Sequence, residues 1–309
     1  MAKLLRQRLL QLVLVILGIS SLVFFLVRVS GDPVAAIAGT DADPETLAAI
    51  RTNLGLDDPV LVQYVRFLGD LLVLDFGDSY QYSSSAMGLV LDRLPASALL
   101  TILAMVIAVG IGVPAGVLGA VHRDGLLGRT VNGFAILGQS IPSFVLGILL
   151  IMVFSVSLGV LPSFGGEGVA SLVLPAVTLS AFICARQMRL VQAYTLEELS
   201  RGYVRTANSL GFSTRRIRYR HILRNVTVPM LSLVGLELGQ FIAGSVVVES
   251  VFSWPGLGRL MVEAVTARDY PVLQAGVFVI GVLVVLINFI VDLLYQVVDP
   301  RLKTQLVAK

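Results

Sequence analysis

Side chains able to do chemistry are sparse over most of this 309-residue chain, and their placement limits what it can catalyse. Cys184 is the single cysteine and sits in an apolar run, so no intrachain disulfide can form and its thiol reads as packing. His122 and His221, the two histidines, have no carboxylate or second ligand at metal spacing, which sets a structural metal aside. Neither lies in an apolar run and no G-x-S-x-G elbow occurs, so an intramembrane serine protease would lack its parts. Lys3, Lys303 and Lys309 are the only lysines and none follows a glycine, so the chain cannot be its own P-loop ATPase. What remains is a pair of acids inside apolar runs, Glu237 and Asp292, and one long polar interior stretch, Tyr194 to Pro229. A buried acid is costly in lipid, so Glu237 should face a partner helix or a water-filled passage.

The elements that must position these groups are membrane helices. The chain is 56% hydrophobic and 14% charged, with mean hydropathy +0.88, which is too apolar for an ordinary soluble domain. Apolar runs predict an all-α membrane protein with six transmembrane helices, at about residues 9–29, 97–121, 131–158, 169–190, 230–249 and 272–298. The two termini, the loop 122–130 and the stretch 186–224 supply 17 of the 23 Lys and Arg residues, whereas Gly31 to Asp92 carries ten of the 20 acids. That alternation places both termini and the polar stretch inside, and the long loop 31–95 outside. The first run is too long for a usual signal-peptide core and has no small-x-small site before Gly31, so it is expected to remain as a span.

Within the spans, Gly110, Gly112, Gly116 and Gly119 permit close helix approach, and Pro114 and Pro142 are expected kinks. Gln139, Ser140 and Ser143 around Pro142 are candidates for a polar path, with Glu237 and Gln240 on the fifth span. In the outer loop, Leu61, Tyr64, Val65, Leu68, Leu71 and Leu72 recur at helical spacing, which suits either a membrane-surface helix or a platform for a partner.

In the segment 194–229, Leu196, Leu199, Tyr203, Ala207 and Leu210 fall at helical spacing, Gly211 stands where a left-handed stop would fall, and Ser213 can cap a second helix. That second helix would carry Arg215, Arg216, Arg218, Arg220 and Arg224. Such a pair, fixed between two spans, is a shape a soluble partner can grip. From the residues alone, a positively charged inner loop with no partner is the alternative.

The segment resembles the EAA coupling loop of the permease subunits of bacterial ABC importers. Arg205, Thr206 and Ala207 stand at the Glu-Ala-Ala positions and Gly211 at the glycine, so the glutamate is missing and Pro229 falls late. YVRTANSLGF followed by HILRNVTVP is nevertheless similar to the variant of peptide-type importers. VESVFSWPGLGRLMVEAVTARDYP resembles a second signature of that subgroup, and LGLDDPVLVQYVRFLGDLLVLDFGDSY its extracytoplasmic scoop.

The resemblance implies a type I ABC importer permease fold in the bacterial cytoplasmic membrane, taking up di- or oligopeptides, or in related systems nickel chelates, glutathione or haem. It implies coupling to an ATPase through Tyr203, Arg205, Thr206, Ala207, Leu210, Gly211, Phe212 and Arg216. It implies an outer gate at Phe252, Trp254, Pro255, Gly256 and Gly258. The implied partners are a homologous second permease, two ATPase subunits that bind ATP and Mg, an external binding protein and membrane lipid, with no nucleic acid. No cofactor is expected on this chain. A proton-coupled secondary transporter using Glu237 and Asp292 is the rival reading, and it would leave the coupling segment unused.

Overall fold

A computed structural model describes residues 2–30, 34, 43–164, 168–213, 216–217, 225–226, 230, 237 and 244–298. Among these the chain is helical, with one isolated antiparallel bridge between Asp78 and Ser85. It divides into two compact units, residues 1–97 with 255–286, and residues 98–254 with 287–309.

In the first unit, α1 (Ala2–Ser30) has an apolar stretch from Leu10 to Leu26. Helix α2 (Pro44–Asn53) starts as its sequence requires: the Asp43 carboxylate accepts the Thr46 N–H at 2.7 Å and Pro44 occupies the first turn, where its missing N–H costs nothing. Helix α3 (Val60–Leu72) is amphipathic and turns Phe67 and Leu71 inward, with Tyr64 and Leu68 packed beside them. Leu61, Val65 and Leu72, of the same helical pattern, are exposed. The inward residues join Phe24, Phe76, Val90, Leu260, Met261 and Val272 in one core, where Phe24 meets Phe67 at 5.1 Å and Tyr64 at 5.2 Å between ring centres.

Helix α4 (Ala86–Val121) begins well before the expected start near residue 97 and continues through Pro95 and Pro114 without interruption. Residues 86–95 of the expected loop 31–95 belong to this helix. Two further helices complete this unit, α9 (Leu257–Ala267) and the start of α10 (Tyr270–Val298). Asp269 joins them: Oδ1 accepts the Val272 N–H at 3.4 Å at the head of α10, while Oδ2 accepts the buried Ser79 hydroxyl and so anchors the turn before α4.

The second unit is built on α7 (Ala170–Ser200), 31 residues long and 67% buried over its most apolar window. Helix α5 (Leu126–Ser140) and helix α6 (Ser143–Leu150), which a π-helical turn (Ile151–Ser157) extends, pack against it or follow on. The third expected span, 131–158, is made of two helices bent by 105°, with the break beside Pro142, where a kink was expected. Pro142 explains the break: it has no N–H to donate and forces Ile141 into extended backbone (ψ 120°).

Of the four small residues on α4, three make close approaches. A Cβ on Gly112 would lie 3.0 Å from the Cys184 carbonyl oxygen, one on Gly116 2.7 Å from that of Met188, and one on Gly119 2.9 Å from Val131. Gly110 faces open space. Among the described residues, three helices are long and apolar enough to cross a membrane, α4, α7 and α10, or four if the bent pair counts as one span. The fifth expected span, 230–249, lies outside the described residues except for Met230, Glu237 and 244–249.

Candidate coupling site

Helix α7 runs past residue 190, where the fourth span was expected to end, and takes up Tyr194, Leu196 and Leu199 from the polar segment. No helix-breaking residue intervenes until Arg201, which is extended (φ −70°, ψ 149°), followed by Gly202. The short helix α8 (Gly202–Ser209) then begins. Its C-terminus is a Schellman arrangement: the Gly211 N–H donates to the Asn208 carbonyl and the Phe212 N–H to that of Ala207, with Gly211 at φ +76°. The Ser213 hydroxyl accepts the Arg216 N–H at 3.3 Å, capping the turn that Arg216 enters. Arg215, Arg218, Arg220, Arg224 and Pro229 lie outside the described residues.

Helix α8 has two distinct faces. Val204 and Ala207 are buried among Val191, Ile217, Val226 and Met230, so Ala207 seats the helix within this chain. Arg205, Thr206, Ser209, Leu210, Phe212 and Arg216 are exposed, Leu210 by 68%. The Arg216 guanidinium lies over the Phe212 ring at 4.7 Å, a pairing that presents a cationic and apolar knob together. The site is therefore an apolar tip rimmed by arginine, on a helix fixed from behind.

What fixes it is a cluster that sequence reasoning did not pick out. Glu198, 8% exposed, accepts the Tyr203 hydroxyl at 2.6 Å and the Asn225 amide at 3.1 Å on Oε2, and pairs with Arg201 Nε at 2.8 Å on Oε1. Asn225 also donates to the Tyr203 oxygen at 3.2 Å. Burial, and then the bond to Glu198, push the Tyr203 hydroxyl above the ordinary tyrosine value. Glu198 lies within EELS, which reads as a solvated charged turn. The one available signal was that Glu198 and Tyr203 straddle the Arg201–Gly202 break.

The other expected site residues are spread over the two units. In the second unit, Phe252 (2% exposed) packs on Gly147, and Trp254 is buried, its N–H donating to the Glu249 carbonyl at 2.8 Å around Ser253 at φ +51°. In the first, Pro255 is exposed, while Gly256 and Gly258 are buried at the head of α9, whose Leu257 N–H donates to the Ser97 hydroxyl at 2.7 Å.

Gln139 is half-buried, donating to the Ala135 and Ala185 carbonyls and accepting from Arg189, each at 3.3 Å. The Ser140 hydroxyl is exposed and turns back to Ile136, and Ser143 is half-buried. Glu237 has no exposure and accepts the Gln187 amide at 2.7 Å, and among the described residues Glu237 Oε1 and Gln187 Oε1 have no hydrogen-bond partner. Gln240 lies outside the described residues, and nothing is described of the Asp292 side chain.

Comparison with known proteins places this geometry in a family. The family described as binding-protein-dependent transport system inner membrane component matches residues 112–304, and its N-terminal counterpart matches residues 1–101. The glutathione transport system permease protein GsiC of Escherichia coli (strain K12) is 39% identical over 298 residues, 96% of this chain and 97% of that one. The GsiC protein of Salmonella paratyphi A is related to the same degree. Among solved structures, an inward-facing form of the MetNI methionine ABC transporter shares the fold, with a TM-score of 0.56 at 22% identity over 69% of this chain and 97% of that one. The chain therefore belongs to the binding-protein-dependent transport system inner membrane component family, as the multi-pass membrane permease subunit of an ABC importer.

Proposed function

We propose that this chain forms half of the translocation path of an ATP-driven importer of short peptides or peptide-like solutes such as glutathione. In this reading α8 is the element that a separate ATPase grips. The observation that carries it is α8 with the turn that follows: an eight-residue helix with Arg205 exposed, leading into exposed Leu210, Phe212 and Arg216, and clamped by Glu198 and Asn225. The likeness to a glutathione permease over nearly the whole chain supports the solute class.

The complex would hold a homologous second permease, two ATPase subunits carrying ATP and Mg, and an external binding protein, with both termini of this chain on the cytoplasmic side. This chain would hydrolyse nothing. Closure of the ATPases on ATP would push the Leu210–Phe212 tip. Tyr203 and Asn225 would pass that displacement to the end of α7 and to the segment entering the fifth span, rocking the spans between inward and outward access. ATP and the loaded binding protein shift that equilibrium only by their different affinities for the two states. Phe252, Trp254, Pro255, Gly256 and Gly258 would contribute to the outer gate. The exposed Leu61, Val65 and Leu72 of α3 would form part of the landing surface for the binding protein.

The test is affinity capture of the detergent-solubilised chain from its native membrane, then reconstitution of what accompanies it. Co-purified P-loop ATPases and a second permease, with hydrolysis stimulated by a binding protein and ATP-driven uptake of tri-alanine or glutathione, are expected. A chain that is captured alone and moves solute under a proton gradient without ATP would overturn the assignment.

A further inference from the structure

The first unit encloses an open cavity of about 1030 Å³, between the last turns of α1, helices α2 and α3, the turn before α4 and the head of α10. Its size lies at the upper end of the range that holds drug-sized ligands, roughly 300–1,000 Å³. Its lining carries both signs of charge, and the way those charges are held is informative.

Arg28 is half-buried and rigidly set. Its guanidinium lies 3.4 Å from the centre of the Phe24 ring, donates to the Phe24 carbonyl at 3.1 Å, and places Nε and a terminal nitrogen at 3.2 and 2.6 Å from Gln63 Oε1. Gln63 cannot turn away, because its own amide donates to the Leu56 and Asp58 carbonyls at 3.1 and 2.8 Å. All these acceptors are neutral, and among the described residues no carboxylate pairs with Arg28. A guanidinium has five donor hydrogens, and three are engaged here. The rest form a preorganised carboxylate fork, since an immobilised cation in partial burial gains most from an anionic partner.

The same cavity is lined by Arg51, by Arg66, which is paired with Asp58 at 2.8 Å, by Asp75, which accepts the Gly77 N–H at 2.9 Å, and by Asp70 and Asp78, neither of which pairs with a cation among the described residues, with Tyr80 and Gln274 beside them. Carboxylates without cations and a cation without a carboxylate, sharing one cavity, are complementary to a ligand that brings both charges. We propose that this cavity is a binding subsite for a small zwitterion, a di- or tripeptide, with Arg28 taking its carboxylate and Asp70 and Asp78 its ammonium. The proposal rests on the peptide-importer reading and adds to it a place where this chain alone holds solute.

The test is titration of tri-alanine into the purified chain in phosphatidylcholine nanodiscs, beside tri-alanine amide and N-acetyl-tri-alanine. Binding of tri-alanine that weakens about tenfold or more when either end charge is removed is expected, in keeping with the strength of a charge-assisted hydrogen bond. Arg28→Gln should abolish the distinction between tri-alanine and its amide, and Asp78→Asn should weaken that between tri-alanine and its N-acetyl form. If Arg28→Gln fails to fold, the ligand series on the wild-type chain together with Asp78→Asn still decides.

Equal binding of all three probes, or no binding, would overturn the site. Binding seen in phosphatidylcholine but displaced by phosphatidylethanolamine would assign the cavity to that lipid's zwitterionic headgroup and overturn the peptide assignment. ATP-driven tri-alanine uptake by the whole complex separates the two readings: uptake without cavity binding sinks this proposal alone, whereas uptake of other solutes but not peptides sinks the function proposed above.

Discussion

The Tyr203 hydroxyl donates to Glu198 Oε2 at 2.6 Å across the Arg201–Gly202 break, so the first turn of α8 is tied to the last turn of α7 by a side chain where the backbone helix is interrupted. A hinge closed by one direct hydrogen bond, with the Asn225 amide bridging the same two residues, is stiff to small forces and releasable by larger ones. Tyr203→Phe removes the hydroxyl and keeps the ring, at a cost of about 1–3 kcal/mol for the lost bond, with Glu198 Oε2 left to the Asn225 amide alone. The complex should still hydrolyse ATP while moving several-fold less solute per ATP. Parallel ATPase and uptake measurements in proteoliposomes check this, and an unchanged ratio would remove Tyr203 from the coupling route.

Gly211 carries a conformation that proline cannot copy, at φ +76° with its N–H bonded to Asn208. Gly211→Pro should abolish uptake while membrane insertion persists. Gly211→Ala, strained by about 1–2 kcal/mol in the left-handed region but able to donate, should retain part of it. Normal uptake by the proline variant would show that the turn plays no part in coupling.

Glu237 and Gln187 form a buried pair whose only mutual bond is 2.7 Å long. Glu237→Ala leaves the Gln187 amide without its acceptor and should lower the unfolding midpoint of the solubilised chain, equivalent to about 1–3 kcal/mol. Glu237→Gln preserves an acceptor oxygen and should recover most of that loss. If Glu237→Gln instead keeps full stability and co-purification but alters transport, Glu237 lines the path as well as packing it.

Tyr80 supplies a pH dependence. Burial, with the charge of Asp269 second, pushes its hydroxyl from 10.0 up to about 12. Because the folded value is the higher one, the neutral phenol's contribution is fully present below pH 10 and is lost as pH rises toward 12. The shift corresponds to roughly 3 kcal/mol at most. Tyr80→Phe should flatten the alkaline limb of a stability-versus-pH curve, and an unaltered limb would assign that loss to other groups.

How far the sequence carried depends on whether a feature is local. Hydropathy located α4, α7 and α10, and Gly211 was recognisable as a left-handed stop because only the chain's own φ had to be guessed. Where the elements end was less legible. Charged residues suggested that the fourth span should stop near 190, yet α7 continues to Ser200 because hydropathy reports the bilayer and not the helix. Pro142 marked a kink, but its 105° bend depends on how α6 packs against α7 around Gly147 and Thr178. The Glu198 cluster was invisible because Asn225 is 27 residues away and comes into reach only after α8 folds back.

The glycines of α4 carry a further meaning for motion. Gly112 and Gly116 bring the α4 backbone against carbonyls of Cys184 and Met188 with no room for a methyl group, which dovetails α4 to α7 and resists sliding of one along the other. At about 1.5 Å per residue, α7 is a rod some 46 Å long. A displacement delivered at its Glu198 end would be carried as the swing of a lever, with residues 98–121 of α4 moving along with it. The bending it demands must fall at the joints already cut into the chain, beside Pro142 and at Arg201.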